Sequence, residues 1–322
     1  MLRRSRCAKS RCKRTQVDEF ELIRRFFDRG DAAPGIVTGI GDDGAVLDPS
    51  PGMEQVQVID TLVEGVHFPA DTDASDIGYR VVAVNLSDIA AMGARPRWMT
   101  LALTLPPKDE QWVEDFANGL FAAASEFDVA LVGGDTTSGD IVVATVHMTG
   151  EVTAGSASLR SGARVGDTIF VSGTCGDAAA GLELSQRDMS DAFLAQRFLR
   201  PRPRVELGAQ LVARASAVID VSDGLVGDLR KLLEASGVGG EIHVDRVPLS
   251  TALTEHFDSD EALQFALTGG DDYELCFTAA DDDVAGIDGI AAIGTVVAGA
   301  DLVCLRNGEI VEYDDSGYRH FA

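Results

Sequence analysis

Hydrophobic positions recur with a helical period in some segments of the chain and alternate or run unbroken in others. The period of roughly 3.6 residues predicts helices over residues 17–28, 76–92, 109–126, 177–186, 204–215, 225–236 and 261–267. Alternating or continuous apolar runs predict strands at 55–60, 98–105, 129–135, 141–152, 167–173, 217–224, 241–245 and 273–279. Because strands and helices are mixed throughout, we expect an α/β or α+β fold.

The pattern changes once, after Thr153. The stretch AGSASLRSGARVGD is rich in small and turn-forming residues, which is typical of a connection between domains. We therefore predict two domains, each a mixed β-sheet packed with helices, over residues 17–153 and 154–322. Residues 1–16 carry seven Lys or Arg and no acidic residue. For this basic stub we favour a disordered arm or an over-extended start over an RNA-binding tail.

The composition excludes several classes of protein. A net charge of −25 argues against a nucleic-acid-binding surface, which carries a basic patch. No apolar run reaches the roughly 18 residues that a membrane span needs. The five cysteines are odd in number and show no CxxC spacing, so we expect no disulfide framework and a reducing cytoplasm.

Aspartates stand at the ends of hydrophobic runs, beside glycine, serine or threonine, along much of the chain. A buried carboxylate is costly unless it is paired or binds a cation. Mg²⁺ takes oxygen ligands and usually binds together with substrate phosphates. The pattern therefore predicts a Mg²⁺-dependent enzyme of nucleotide phosphoryl transfer. Its candidate carboxylates are Asp42, Asp43, Asp60, Asp88, Asp135, Asp220 and Asp223.

Three segments concentrate these candidates. In GIGDDGAVL, glycines flank an acidic pair, although a solvated β-turn explains the same residues. In VGGDTTSGD, the glycines would let the backbone approach a phosphate while Asp135 holds a metal, and a type I turn is the alternative. In VIDVSDGLVGDL, strand alternation directs Asp220 and Ser222 to one side, whereas Asp223 is also a candidate helix cap.

Four further residues are candidates for ligand contacts. His67 lies in a predicted loop after Asp60, where a structural role is the alternative. Arg160 offers a planar donor fork for a phosphate, unless it is a solvated linker residue. Asp271 repeats the Gly-Gly-Asp pattern, and Tyr318 is an aromatic residue for stacking or for packing.

The common nucleotide-binding motifs are absent from the sequence. There is no GxxxxGK[ST] loop, no protein-kinase glycine-rich loop with its downstream lysine and HRD segment, and no GxGxxG after a strand. A P-loop enzyme, a protein kinase and a Rossmann oxidoreductase are therefore disfavoured.

Taken in order, the motifs resemble the thiamine-monophosphate kinase family, within the superfamily named after aminoimidazole ribonucleotide synthetase. The matching segments, which run from about residue 18 to 320, are FELIRRFF, GIGDDGAVL, DTLVEGVHF, AVNLSDIAAMGARPRWMTLALTLP, LVGGDTTSGD, RSGARVGD, FVSGTCGDAAAGL, IDVSDGLVGDL and LTGGDDYELCFT. NLSDIAAMGA and GGDT are shared by much of the superfamily. The combination of DTLVEGVHF, IDVSDGL and GGDDYEL is much more specific to this family.

The resemblance implies a homodimer that pairs through the N-terminal domains, with ATP in a cleft near that interface. It also implies phosphorylation of thiamine phosphate to thiamine diphosphate by direct in-line transfer, without a phosphoenzyme. The expected metal ions are several Mg²⁺ and, in addition, K⁺. Such a transfer needs positioning and charge neutralisation rather than covalent protein chemistry.

The same resemblance implies a role for each matched residue. The implied metal ligands are Asp43, Asp60, Asp88, Asp135, Asp220 and Asp223. The implied ATP contacts are Gly134, Asp135, Arg160 and Ser222. The implied contacts to thiamine phosphate are His67, Asp271 and Tyr318.

Two positions depart from the family pattern. Val58 and Ile59 stand where the family usually has Ser-Thr, so a hydroxyl ligand is lost and the backbone carbonyl of Ile59 is the expected replacement. Asp271 stands where relatives commonly have Glu, and the shorter side chain leaves room for a water-mediated contact.

Rival interpretations differ in the features they need. A selenophosphate-forming relative needs a reactive Cys and Lys in the N-terminal glycine-rich loop, and the carbamoyl-dehydratase maturation relative needs a C-terminal Cys; this sequence has neither feature. A purine-pathway ligase remains an alternative because it also uses ATP and Asp-rich turns. A non-enzymatic acidic cation-binding protein would explain the net charge but not the aspartates at strand ends.

Overall fold

The computed structural model describes residues 19–30 and 33–313, in which thirteen strands and nine α-helices form. The strands are β1 (Ile36–Thr38), β2 (Val46–Leu47), β3 (Met53–Val63), β4 (Arg95–Leu105), β5 (Ala130–Ser138), β6 (Val143–Thr153), β7 (Thr168–Ser172), β8 (Ala217–Val221), β9 (Gly239–His243), β10 (Glu274–Ala279), β11 (Ile290–Val297), β12 (Leu302–Arg306) and β13 (Glu309–Val311). The helices are α1 (Glu19–Leu22), α2 (Ala74–Ala91), α3 (Glu110–Glu126), α4 (Asp177–Gln186), α5 (Ala192–Leu199), α6 (Val205–Leu211), α7 (Leu225–Ser236), α8 (Thr251–His256) and α9 (Ser259–Thr268). A π-helical segment, Ile23–Phe27, continues α1, and 3₁₀ turns lie at Val244–Arg246 and Asp281–Val284.

The N-terminal half forms a four-stranded sheet in the order β3-β6-β4-β5. Neighbouring strands of this sheet are antiparallel except for β4 and β5. These two run parallel because α3 connects the end of β4 to the start of β5. Asp109 begins α3 by accepting a hydrogen bond from the backbone N–H of Trp112 at 3.0 Å. Apolar residues of α2 and α3 pack with the sheet into one core, so the helices cover one sheet face, here called the inner face.

The C-terminal half forms a seven-stranded sheet in the order β13-β12-β9-β11-β7-β10-β8. Strands β8 and β10 are buried along their whole length, which explains their unbroken apolar character. Helices α7 and α9 pack on one face of this sheet, while α6 and the end of α2 pack on the other. The seven-stranded sheet therefore reaches the N-terminal half through α2.

Helices α2 and α3 pack so closely at two glycines that no larger residue fits between their backbones. A Cβ atom on Gly78 would lie 2.0 Å from the carbonyl oxygen of Phe116, and one on Gly119 would lie 1.8 Å from that of Ser75. Hydrogen is the only side chain that fits at either position without separating the two helices. The position of α2 is thus set by backbone contact.

The predicted mixed α/β fold is confirmed, although the sequence patterns did not predict every helix and strand. The helices predicted at 177–186 and 225–236 have the predicted bounds, whereas the one at 204–215 ends early, at Leu211. Helices α5 and α8, the short strands β1 and β2, and strands β11 to β13 were not predicted.

Several other expectations concern the domain division, the cysteines and the membrane. The four-stranded sheet ends at Thr153 and the seven-stranded sheet begins at Thr168, so the predicted boundary lies between the sheets, while the predicted stub at 1–16 lies outside the described residues. Cys175 and Cys276 are free, buried thiols. In the part of the chain that the structure describes, no helix is both long and apolar enough to cross a membrane.

Candidate active site

Three of the predicted aspartates meet where the inner face of the four-stranded sheet and α2 approach the seven-stranded sheet. Asp60 shares the inner face of β3 with Val56 and Leu62, because burial alternates along this strand. Asp88 lies in the last turn of α2, and Asp220 lies buried near the end of β8. We call these three residues the inner group.

Burial and mutual repulsion raise the pKa of every carboxyl in the inner group. The pKa of Asp60 rises to about 6, first because of burial and then because of the charges of Asp220 and Asp223. The pKa of Asp88 also rises to about 6, through burial and then the charge of Asp60. For Asp220 the pKa reaches about 7, through burial and then the charge of Asp88. The inner group therefore holds more negative charge than its surroundings neutralise.

Two neighbours partly offset this repulsion. The Ser87 hydroxyl donates a hydrogen bond to Oδ2 of Asp220 at 2.7 Å, which lowers the pKa of Asp220. The positive charge of Arg160 lowers the pKa of both Asp88 and Asp220. Arg160, Asp88 and Asp220 also line one cavity of about 480 Å³. The predicted phosphate contact thus lies beside two predicted metal ligands.

Asp223 lies close to the inner group but has a cation of its own. Its Oδ2 is 2.6 Å from Nζ of Lys231, and the same ammonium lies 2.9 Å from Oδ1 of Asp228. Asp228 in turn accepts hydrogen bonds from the backbone N–H groups of Ser222 and Asp223, each at 2.9 Å. Helix α7 is preceded by Gly224 without a side-chain cap, so the capping interpretation of Asp223 is wrong.

The remaining predicted metal ligands lie elsewhere. Asp43, Gly134 and Asp135 line a second cavity, of about 640 Å³, together with Asp42 and Arg24. The backbone at Gly134 passes so close to β4 that a Cβ atom there would lie 2.0 Å from the carbonyl oxygen of Leu101. We call Asp42, Asp43 and Asp135, all three exposed to solvent, the outer group.

Asp135 lies on the opposite sheet face from Asp60. Across the four strands, Thr61 pairs with Thr145, Thr145 with Ala102, and Ala102 with Asp135. Side chains alternate between the two faces of a sheet, so Thr61 and Asp135 share the outer face while Asp60 is on the inner one. The outer face is confirmed by the hydrogen bond of 2.8 Å between the hydroxyls of Thr61 and Thr145. Within one chain, the six predicted metal ligands are therefore divided between two places.

The predicted substrate contacts are partly described. His67 lies in the turn after β3, where its Nδ1 accepts a hydrogen bond of 3.0 Å from the backbone N–H of Val63. In the neutral ring the proton is then on Nε2. Asp271 contacts Arg80 and the hydroxyl of Tyr273. Tyr318 lies outside the described residues.

Ile59 and Ser222 can also be located. The side chain of Ile59 is on the outer face and 64% exposed, next to His147 on β6. Ser222 follows β8 and is half-buried. The role predicted for the Ile59 carbonyl and that of the Ser222 hydroxyl remain predictions.

The donor chemistry of the inner group fits a hard divalent cation, although no ion site is preassembled. Among residues 19–30 and 33–313, no three carboxylate, imidazole or thiolate groups converge closely enough to bind one metal ion. The inner group nevertheless supplies only carboxylate oxygens, whose pKa values are raised by each other's charge. Oxygen donors and uncompensated negative charge are what Mg²⁺ requires.

Sequence reasoning missed three residues around these carboxylates, namely Arg80, Ser87 and Lys231. Ser87 had a usable signal, since it directly precedes Asp88 in NLSD and carries a hydroxyl. Lys231 also had a signal, because Asp228 precedes it by three residues on the same helix. Arg80 had none, because its partner Asp271 lies 191 residues away along the chain.

Comparisons with known proteins identify the family of this chain. The sequence matches the family descriptions "AIR synthase related protein, N-terminal domain" over residues 41–152 and "AIR synthase related protein, C-terminal domain" over residues 164–304. The thiamine-monophosphate kinase of Salmonella typhimurium is 45% identical over 324 residues, which cover 94% of this chain and 98% of the relative.

Solved structures give the same result. The thiamine-monophosphate kinase from Stenotrophomonas maltophilia matches with a TM-score of 0.80 at 44% identity, covering 91% of this chain and 96% of that one. A structure described as AaThiL complexed with AMPPCP and TMP matches with a TM-score of 0.78 at 34% identity, covering 88% and 92%. With this identity over nearly the full length, both in sequence and in structure, the chain belongs to the thiamine-monophosphate kinase family.

Proposed function

We propose that this chain transfers a phosphoryl group from ATP to thiamine phosphate, giving thiamine diphosphate and ADP. The observation that carries the proposal is that Asp88 and Asp220 of the inner group line one cavity together with Arg160, in a chain of this family. A relative of 34% identity is described as a complex with AMPPCP and TMP, which supports both substrates.

Within this proposal, Asp60, Asp88, Asp220 and Asp223 would hold Mg²⁺ at the inner group, and Asp43 and Asp135 would hold Mg²⁺ at the second cavity. Mg²⁺ held there would supply the positive charge that phosphoryl transfer needs. A K⁺ ion is a further part of the proposal and rests on the family resemblance alone. Raised pKa values support the metal assignment, because burial and then mutual repulsion disfavour the ionised carboxylates, and a bound cation would offset both.

The chain's own groups then bind and orient the phosphates. Arg160 presents its guanidinium to the nucleotide side of the site, next to Asp88 and Asp220. Gly134 lets β5 pass close to the backbone of β4 at Leu101, beside Asp135 at the second cavity. We propose direct in-line transfer without a phosphoenzyme, since such a transfer depends on positioning and on neutralising charge.

We also propose that two copies pair through the outer face of the N-terminal sheet. Helices α2 and α3 cover only the inner face. On the outer face, Ile59 is exposed and threonine hydroxyls pair between Thr61 and Thr145 and between Thr104 and Thr137, both at 2.8 Å. Because Asp135 lies on this face, the pairing determines what surrounds it.

An ADP-release assay tests the proposed function. With Mg²⁺ and ATP, thiamine phosphate is compared with free thiamine, with purine-pathway precursors and with no acceptor. ADP formed only with thiamine phosphate, together with thiamine diphosphate as product, is the expected result. ADP formed with a purine-pathway precursor instead would support the alternative that the protein is a purine-pathway ligase. Calcium binding without ATP binding would favour the non-enzymatic alternative.

A further inference from the structure

Arg80 is a buried cation to which the proposed phosphoryl transfer gives no role. It lies in the second turn of α2 and is 1% exposed. Its Nη2 lies 2.6 Å from Oδ1 of Asp271, and its Nη1 donates to the carbonyl oxygen of Phe198. The guanidinium also stacks over the Phe198 ring, 4.4 Å from the ring centre. One hydrogen bond, one ion pair and one ring contact thus restrict the orientation of this guanidinium.

Asp271 is held on one side only. Besides Arg80, the hydroxyl of Tyr273 contacts its Oδ1 at 3.0 Å. Both contacts are made to the same oxygen, so Oδ2 is the one that these two groups leave available. The backbone of Asp271 has a φ of 71°, a conformation that is costly for a residue with a side chain. Such a conformation persists where the surrounding contacts fix it.

Tyr273 connects this carboxylate to the inner group. Its ring is buried in the core of the N-terminal sheet, although the residue belongs to the loop before β10. The phenol pKa is raised by burial first and then by the charge of Asp271, and Asp60 raises it further. Asp271 and Asp60 thus approach the same phenol from the two halves of the molecule.

Helix α2 links the two ends of the site. Arg80 and Ser87 are seven residues apart, which places them on one helix face about two turns from each other. Arg80 contacts Asp271, while Ser87 holds Asp220 of the inner group. Helix α2 therefore positions two carboxylates: Asp220, a predicted metal ligand, and Asp271, which is predicted to contact the acceptor.

We propose that Arg80 is a positioning residue for the acceptor. By fixing Oδ1 of Asp271, it directs Oδ2 toward the positively charged organic part of thiamine phosphate and keeps the carboxylate from turning away. Arg80 itself does not touch either substrate. This inference rests on the proposed function and adds to it the residue that organises the acceptor contact.

The test is the steady-state kinetics of Arg80→Gln with both substrates. Loss of the ion pair is expected to raise the KM for thiamine phosphate about tenfold while kcat and the KM for ATP stay within about twofold. Arg80→Lys, which keeps the charge, is expected to restore the KM to within about threefold of the unsubstituted protein. Arg187→Gln is the control, because Arg187 forms an ion pair with Glu183 of α4 at 2.7 Å and lines neither cavity. It should leave both KM values unchanged.

A double substitution separates positioning from a structural role. If Arg80 acts through Asp271, Arg80→Gln adds less than about twofold in KM to Asp271→Asn. If the two substitutions multiply their effects on the KM for thiamine phosphate, the inference is overturned. An equal change in kcat and in both KM values in Arg80→Gln would also overturn it.

Two further results keep the inference testable. If Arg80→Gln does not fold, Asp271→Asn tests the residue through which Arg80 acts, and an unchanged KM for thiamine phosphate in that variant would also overturn the inference. Failure of the proposed function is seen separately, as no ADP formation with thiamine phosphate by the unsubstituted protein.

Discussion

The inner and outer groups consist of the same amino acid in similar sequence settings, yet their surroundings differ. Asp60, Asp88 and Asp220 of the inner group lie between the two sheets, where burial and mutual charge raise their pKa values. The outer group lies in a glycine-rich loop and within strand β5, exposed to solvent. The inner group therefore lowers the stability of the metal-free protein, whereas the outer group costs little.

The largest expected effect is the loss of turnover in Asp88→Asn and in Asp135→Asn. If both residues hold Mg²⁺, each substitution should lower kcat/KM at least about a thousandfold, or ~4 kcal/mol in transition-state stabilisation. The two variants should differ in stability. Metal-free at pH 8, Asp88→Asn should melt above the unsubstituted protein because it removes repulsion, and Asp135→Asn should melt at the same temperature.

Activity assays and thermal denaturation measure this pair of outcomes. Near-normal turnover in either variant would end the metal assignment of that residue. A lower melting temperature for Asp88→Asn would contradict the comparison between the groups, whatever its activity.

A smaller loss is expected from a charge on the outer face. Thr145→Lys places an ammonium in the middle of the surface through which we propose that two copies pair. The variant should be monomeric by light scattering and lose about tenfold or more in activity, since charge without a partner is not tolerated in a buried interface. Thr254→Lys, on the exposed side of α8, is the control and should change neither property. An unchanged assembly state in Thr145→Lys would refute this interface.

The pH dependence of stability should come from the inner group and from Asp272, whose pKa burial raises to about 8. The inner group's folded-state pKa values of about 6 to 7 lie above the value of ~3.9 for an unfolded aspartate. The folded state therefore keeps protons that the unfolded state releases, and this stabilisation, complete below about pH 4, is lost as the pH rises through 6 and 7. Melting of the metal-free protein should fall by several degrees from pH 5 to pH 8, at roughly 2–4 °C per kcal/mol.

Asp220→Asn should flatten this pH profile, and Mg²⁺ should raise the melting temperature more at pH 8 than at pH 5. A melting temperature that rises with pH in the metal-free protein would show that the inner group is not its main titrating element.

The smallest effect is expected from Ser87→Ala. At pH 8 the substitution removes a hydrogen bond to an ionised carboxylate, at a cost of ~1.5 kcal/mol in the free energy of unfolding. At pH 5 Asp220 is protonated and the cost should be smaller. Denaturant unfolding at the two pH values measures the difference, and equal costs would mean that the hydroxyl does not act on the Asp220 charge.

Much of this organisation could be predicted from the sequence. Periodicity located α2, α3, α4 and α7 because each has a continuous apolar stripe, and apolar runs located the buried strands β8 and β10. The ordered motifs identified the family, which the comparisons confirm. The missed elements are short or interrupted: α8 has six residues, and β11 contains a glycine at an irregularity of the ladder.

The division of the aspartates into two groups could not be predicted. It depends on which sheet face each strand presents, and the pairing of β4 with β5 shifts register between Met99 and Thr100. Such an irregularity leaves no periodic trace in VGGDTTSGD. The contact of Arg80 with Asp271 is equally hidden, because it is made across the boundary between the two halves.

The glycine contacts between α2 and α3 have a consequence for genetics. Since α2 carries Arg80, Ser87 and Asp88, any residue that pushes it away from α3 moves these groups together. A random-mutation screen for inactive variants should therefore recover changes at Gly78 and Gly119 as often as changes at the aspartates. Mutational intolerance at Gly78 and Gly119 would show that the helix carrying the site residues must pack closely against α3. Without the structure, a map of intolerant positions would misinterpret these two packing residues as catalytic residues.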